Sequence, residues 1–107
     1  MGPARSIDNV LTGRVIVAVC EVWGITRAEL MGKRRTRPLP WARAMLCEYL
    51  RIYAGHDSVS CGAMLKMSPE GVLNYNYRYS VNRRVYAQFK ERDEELRQKI
   101  RDIKKQL

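Results

Sequence analysis

Pro38 and Pro40 lie two residues apart, between two stretches whose apolar residues recur at helical spacing. Proline fixes φ, offers no amide hydrogen and biases the residue before it out of the α region, so no helix runs unbroken through this point. The chain must therefore fold as helical segments joined at a fixed elbow. That elbow is cationic: Lys33, Arg34, Arg35, Arg37 and, just past the prolines, Arg43 fall within eleven positions that hold no acid. Its spacing alone is compatible with a solvated loop, a localisation tag or a grip on phosphates, and the rest of the chain has to decide.

With 107 residues the chain makes one domain with a modest core. An apolar content of 46% argues against disorder. Twenty Lys and Arg stand against 11 Asp and Glu, and the resulting +9 favours a polyanionic partner while saying nothing about fold. Cys20, Cys47 and Cys61 are odd in number, far apart and without C-x-x-C spacing. They read as reduced core thiols of a cytoplasmic protein rather than a disulfide framework or zinc site. The run "VIVAVCEVW" carries Glu21 and is too short to span a bilayer, so neither a secretory signal nor a membrane partner is expected. "MGPARS" fits the myristoylation pattern formally, but Pro3 makes it a poor substrate. Nucleotide-cradling glycine motifs are absent. One histidine, scattered thiols and surface acids supply no nucleophile with a base, no carboxylate pair and no metal set. The expectation is a protein that is not an enzyme and carries neither cofactor nor metal.

Along the chain, residues 1–6 read as a flexible tail and 7–80 as a helical domain. Ile7, Val10, Leu11, Val15, Val19 and Val22 follow helical spacing, and Ile16, Ala18 and Cys20 fall outside that stripe, so the first helix should be buried on more than one side. Trp23-Gly24 ends it, and the indole of Trp41 is expected against this helix, with Trp23 closing the other end. "TRAEL" is a capping box in which Thr26 and Glu29 satisfy each other's amides, opening a short second helix stopped by Gly32. Pro38 and Pro40 should hold the elbow extended. Trp41 to Ala54 then forms a third helix, with Ala44, Met45, Tyr49 and Ile52 inward, Arg43 and Arg51 on one outward face, and Gly55 after its end. Lone His56 reads as a loop residue.

Asp57 or Ser58 can cap a fourth helix through Leu65, Lys66-Met67 turns the chain, and Ser68-Pro69-Glu70 restarts it. Two helices joined so closely, with Gly62 and Ala63 where they cross, read as a helix-turn-helix over 58–79. Met64, Met67 and Tyr79 read as core, leaving Tyr75 or Tyr77 free to reach a sugar-phosphate. Residues 81–107 read as a charged amphipathic helix. Tyr86, Asp93, Ile100 and Leu107 recur every seven residues, as do Phe89, Leu96 and Ile103. Five of the six flanking positions are cationic, which opposes self-pairing. The stripe should pack on its own domain or on an acidic partner helix.

The order of parts resembles one family. "VCEVWGITRAELMGKRRTR…WARAMLCEYL" is similar to the C-terminal DNA-binding domain of the bacterial replication initiator DnaA, over about residues 9–80. Gly24-Ile25-Thr26 through Leu30, then Gly32-Lys33, Arg35 and Ala42-Arg43, carry the likeness most specifically. The resemblance implies an all-α fold of about six helices, Trp-repressor-like, with a helix-turn-helix on duplex DNA. It implies that Arg35 enters the minor groove with Lys33 and Arg34 beside it, and that Arg43 holds a backbone phosphate. Its recognition-helix run is not retained. The corresponding "KMSPEGVLNY" offers a proline without a donor, an acid and a glycine, with Asn74 as the residue able to pair with adenine.

The expected function is thus a DNA-binding module of altered or relaxed specificity, serving replication or regulation. Lys33, Arg34, Arg35, Arg37, Arg43, Asn74 and Arg78 would form its interface with double-stranded DNA. The alternative is a scaffold of the same kind that has lost DNA recognition and binds an acidic protein through residues 86–107.

Overall fold

Short polar side chains begin most of the helices, because the first amides of a helix have no partner within it. Asp8 Oδ1 accepts from the Leu11 amide at 2.9 Å, Thr26 Oγ1 from Glu29 at 3.1 Å, Asp57 Oδ1 from Ser60 at 2.8 Å and Ser68 Oγ from Gly71 at 3.2 Å. The capping box closes as expected, with the Thr26 amide donating to Glu29 Oε1 at 2.9 Å. The computed structural model describes residues 6–106. It contains six helices: α1 (Asn9–Trp23), α2 (Arg27–Met31), α3 (Leu39–Tyr53), α4 (Ser58–Leu65), α5 (Pro69–Val85) and α6 (Ala87–Gln106). No strand occurs among the described residues. Apart from Ser6, the tail expected at 1–6 lies outside them, as does Leu107.

The proline pair acts differently from the extended strut expected of it. Pro38 is the N-cap of α3 and Pro40 sits in its first turn, so the helix starts at Leu39 rather than Trp41. The first turn has no use for the missing amides, and the fixed φ suits it. The elbow is therefore residues 32–37, ending directly on a helix.

α3 is the centre. Ala42 through Leu50 are all buried, with α1 packed on one side and α5 on the other. α1 buries Leu11, Val15, Val19 and Val22 together with Ile16 and Ala18, but Ile7 and Val10 remain exposed. Ala44, Met45 and Tyr49 face inward as read from the sequence. Ile52 does not, because only one side of the last turn of α3 is covered, the side of Tyr53 and Ala54.

α5 continues past the expected boundary at 80 to Val85, and the chain breaks at Tyr86 before α6. α6 then lies across α1 and α5. Its stripe is internal: Phe89, Leu96 and Ile100 are fully buried, and Ile103 is half-buried. Of the two outcomes expected for this stripe, packing on its own domain is the one the fold adopts.

Two features of that core escaped the sequence. Trp23 and Trp41 do not close opposite ends; their rings meet at 5.9 Å, and Trp41 also contacts Phe89 at 5.7 Å. Asp93, read as one position of a heptad, is fully buried and anchors three helices. It accepts from Tyr49 of α3 and Tyr79 of α5, each at 2.8 Å, and pairs with Arg83 at 2.5 Å and Arg97 at 3.3 Å. A buried carboxylate is tolerable only with such partners.

Candidate functional site

Arg43 organises the elbow. It is 4% exposed, and its guanidinium reaches back under the loop. Nε donates to the Leu30 carbonyl at 2.9 Å, and Nη2 to the carbonyls of Glu29 at 3.0 Å and Gly32 at 2.8 Å. Nη1 donates to the Arg34 carbonyl. The last carbonyls of a helix have no partner inside it, and a five-donor fork fixed on the neighbouring helix supplies them. Arg43 was expected on a backbone phosphate; its guanidinium is instead committed to bracing the loop from beneath, and what little of it is exposed lies on the floor of the groove beside Lys33 and Arg35. Arg51, expected on the same outward face, is exposed and paired with Glu48 at 2.9 Å. The helical face is shared, but the elbow folds over the end that holds Arg43.

With its carbonyls drawn inward, the elbow leaves its cations outside. Lys33, Arg34, Arg35 and Arg37 are all exposed. Arg37 stacks over the Trp41 ring, 4.6 Å from its centroid, which holds it at the α3 end of the elbow. Lys33 and Arg35 line a groove of about 210 Å³ whose other wall is the α4–α5 corner, with Lys66 and Tyr75 on that side. No acidic residue lines it. Tyr75 therefore has the access its alternation with Tyr79 suggested, while Tyr79 is core. Burial pushes the Tyr79 phenol up to about 12, so it stays protonated and donates to Asp93.

The corner is a close one. An added Cβ on Gly62 would stand 2.5 Å from the Met67 carbonyl oxygen, so only glycine lets α4 and the start of α5 approach this far. The Met67 amide donates to the Gly62 carbonyl at 2.9 Å, and Lys66 takes a left-handed conformation, φ 56. Lys66 was passed over in the sequence because it read only as part of a turn. Its proximity to Lys33 and Arg35 is a tertiary fact, and no local pattern carries it.

Asn74 and Arg78 are exposed, four residues apart on α5, and share that face with Leu73 and Tyr77. They are not part of the groove wall. Of the expected interface, Lys33 and Arg35 come together, Arg34 and Arg37 flank them, Asn74 and Arg78 occupy the adjoining helix, and Arg43 lies beneath.

Elsewhere, Cys47 and Cys61 are buried and Cys20 is half-buried. Burial pushes the Cys61 thiol up to about 11 and Cys47 higher still, which keeps both as inert thiols. Among the described residues no cluster of His, Cys, Asp or Glu is placed to hold a metal, and no helix is long and apolar enough to cross a membrane. His56 sits in a loop but is buried, bonded through Nε2 to Thr12 Oγ1 at 2.8 Å and through Nδ1 to Ser60 Oγ at 3.0 Å. No family model and no curated protein matches the chain.

Proposed function

We propose that this chain is a duplex-DNA-binding module, with the elbow directed at the minor groove and α5 laid against the major groove. One observation carries the reading: Lys33, Arg35 and Lys66 converge on an acid-free groove between the elbow and the α4–α5 corner. Lysines and arginines from two separate elements, held by a buried brace, suit a phosphate backbone that both elements touch. The order of parts supports it too. A basic loop between the second and third helices, then a tight corner between the fourth and fifth, is the arrangement implied by the resemblance to the DnaA C-terminal domain, with α4 and α5 as its helix-turn-helix in a Trp-repressor-like fold.

In this reading Arg35 follows a narrow, electronegative minor groove, responding to its width more than to its bases. Lys33, Arg34, Lys66 and Arg78 set register on phosphates, and Asn74 presents an amide that can pair bidentately with adenine. Glu70 is exposed at the start of α5 and Gly71 has no side chain to offer a base edge. Specificity is accordingly relaxed, and the net charge of +9 contributes long-range attraction.

The test is fluorescence anisotropy with a labelled random duplex of about 25 base pairs across a salt series. Log K should fall linearly with log salt, by about 0.9 per phosphate neutralised. Lys66→Ala and Lys33→Ala should each flatten that slope by roughly one phosphate, and Arg35→Ala should weaken binding to A·T-rich duplex more than to G·C-rich duplex. No binding at low salt overturns the proposal.

A further inference from the structure

α1 carries an apolar seam that none of the described residues covers. Val10, Gly13, Val17 and Cys20 follow one another at spacings of three, four and three, which places them on one stripe of the helix. Val10 is 60% exposed and Val17 55%, whereas the other stripe of the same helix is buried against α3 and α6. The seam is concave. A groove of about 480 Å³ runs along Val10, Gly13 and Val17 to Ile103 of α6, and a second of about 230 Å³ continues from Val17 past Cys20 to Ile25. The two share Val17, so they form one channel along α1, which is about 22 Å long.

Gly13 is the second observation. Glycine within a helix is unfavourable relative to alanine, and a packing neighbour usually explains its presence. Here a Cβ would meet nothing within 4 Å. Nothing in the fold requires glycine at this point, whereas a second backbone lying in the channel would. Charge then selects the occupant. Arg14 and Arg27 border the channel, both exposed and neither in an ion pair among the described residues. The one acid there, Glu21, is offset by Lys99 at 3.6 Å. A second copy would bring the same two arginines and another net +9 to the seam.

We infer that the α1 channel is a docking site for an acidic amphipathic helix of a partner protein, seated with its small residues over Gly13 and its carboxylates on Arg14 and Arg27. This site shares no lining residue with the elbow groove, although α2 joins the two: Arg27 opens that helix and Gly32 ends it. The inference stands whether or not the chain binds DNA.

The probe is a synthetic peptide of about 20 residues, with leucine and alanine on a three–four stripe and glutamate on both flanks; that length is enough to run along the channel. Its twin carries lysine in place of glutamate. The acidic peptide should bind the full chain and the twin should not. Gly13→Leu should weaken binding about tenfold or more by filling the channel, a built clash rather than a lost contact. It should do so without lowering the melting temperature, because a Cβ at this position meets nothing within 4 Å and leucine is the better helix former. Arg14→Glu with Arg27→Glu should cost roughly tenfold. Lys33→Ala with Arg35→Ala should leave the affinity unchanged. Failure of the acidic peptide to bind, equal binding of the twin, indifference to Gly13→Leu or dependence on the elbow lysine and arginine would each overturn the inference. So would sedimentation that finds a micromolar dimer abolished by Gly13→Leu, which assigns the channel to a second copy.

Discussion

Arg43 and His56 show how much a single buried polar residue decides in this chain. Arg43 donates to four carbonyls at the end of α2 and in the elbow; that of Glu29 also accepts from the Gly32 amide at 3.3 Å, whereas those of Leu30, Gly32 and Arg34 depend on the guanidinium. Arg43→Ala strands them, and stranded buried acceptors cost about 1–3 kcal/mol each. We expect a loss of about 3 kcal/mol in urea unfolding, with Arg43→Lys recovering little, since one ammonium cannot follow the fork. A phosphate-contacting arginine would behave oppositely, leaving stability intact and lowering DNA affinity alone. His56 tests the other side of the molecule. Desolvation depresses its pKa below the ordinary 6.5, so the folded state favours the neutral ring bonded to Thr12 and Ser60. Below pH 6.5 the unfolded chain binds more protons than the folded one. Stability should therefore be full above pH 6.5 and decline as pH falls through the depressed value. His56→Gln should remove that part of the slope, measured as urea midpoints from pH 7.5 to 5. A wild-type midpoint that rises on acidification over that interval would refute the assignment.

At the scale of elements, the side-chain-capped starts of α2, α4 and α5 were legible, those of α3 and α6 were displaced, and the alliances between helices were not legible. Asp57, Thr26 and Ser68 announce α4, α2 and α5 because a cap is a contact between residues two or three apart. The buried stripe of α6 was legible for the same local reason, since period alone selects Phe89, Leu96 and Ile100. What period cannot supply is the partner. Asp93 reads only as one heptad position, and what makes its burial tolerable is Tyr49, Tyr79, Arg83 and Arg97, which come from three helices. Helical phase turns Arg43 outward for the same reason, and the turn at Lys66, which the structure keeps, carries no local sign of the loop it faces. The elbow itself was visible from charge and proline alone. The α4–α5 corner offers the prediction proper to this scale. Gly62→Ala places a Cβ 2.5 Å from the Met67 carbonyl, where the obstacle is backbone and cannot rotate aside. Prying the helices apart should cost about 1–3 kcal/mol. It should also shift Lys66 away from Lys33 and Arg35, so the salt slope of DNA binding should flatten even where the variant remains folded. If unfolding and slope both match the wild type, the corner does not set the groove.

Taken whole, the molecule presents two cationic surfaces joined through α2: the α1 channel reaches Arg27 at the start of that helix, and the elbow begins at Gly32, where it ends. Both would attract anions, so whether they compete depends on distance and salt. At 0.15 M ionic strength the screening length is about 8 Å, so charge beyond the near end of α2 is largely hidden from a ligand on the other surface, whereas at 0.01 M it is about 30 Å and reaches across most of a molecule whose longest extent is 39 Å. An acidic helix in the channel should therefore leave duplex affinity unchanged within about twofold at physiological salt, and weaken it several-fold at low salt, by cancelling part of the +9 that the duplex senses at long range. Anisotropy of a labelled duplex, titrated with and without saturating peptide at both salt concentrations, measures this directly. Equal weakening at both concentrations means that the two ligands contend for one surface. Because screening acts on distance and leaves overlap untouched, that result would return the channel or the elbow to a single shared site. A difference that appears only at low salt means that the chain holds both at once, and it then bridges a nucleic acid and a protein helix through two surfaces of one small core.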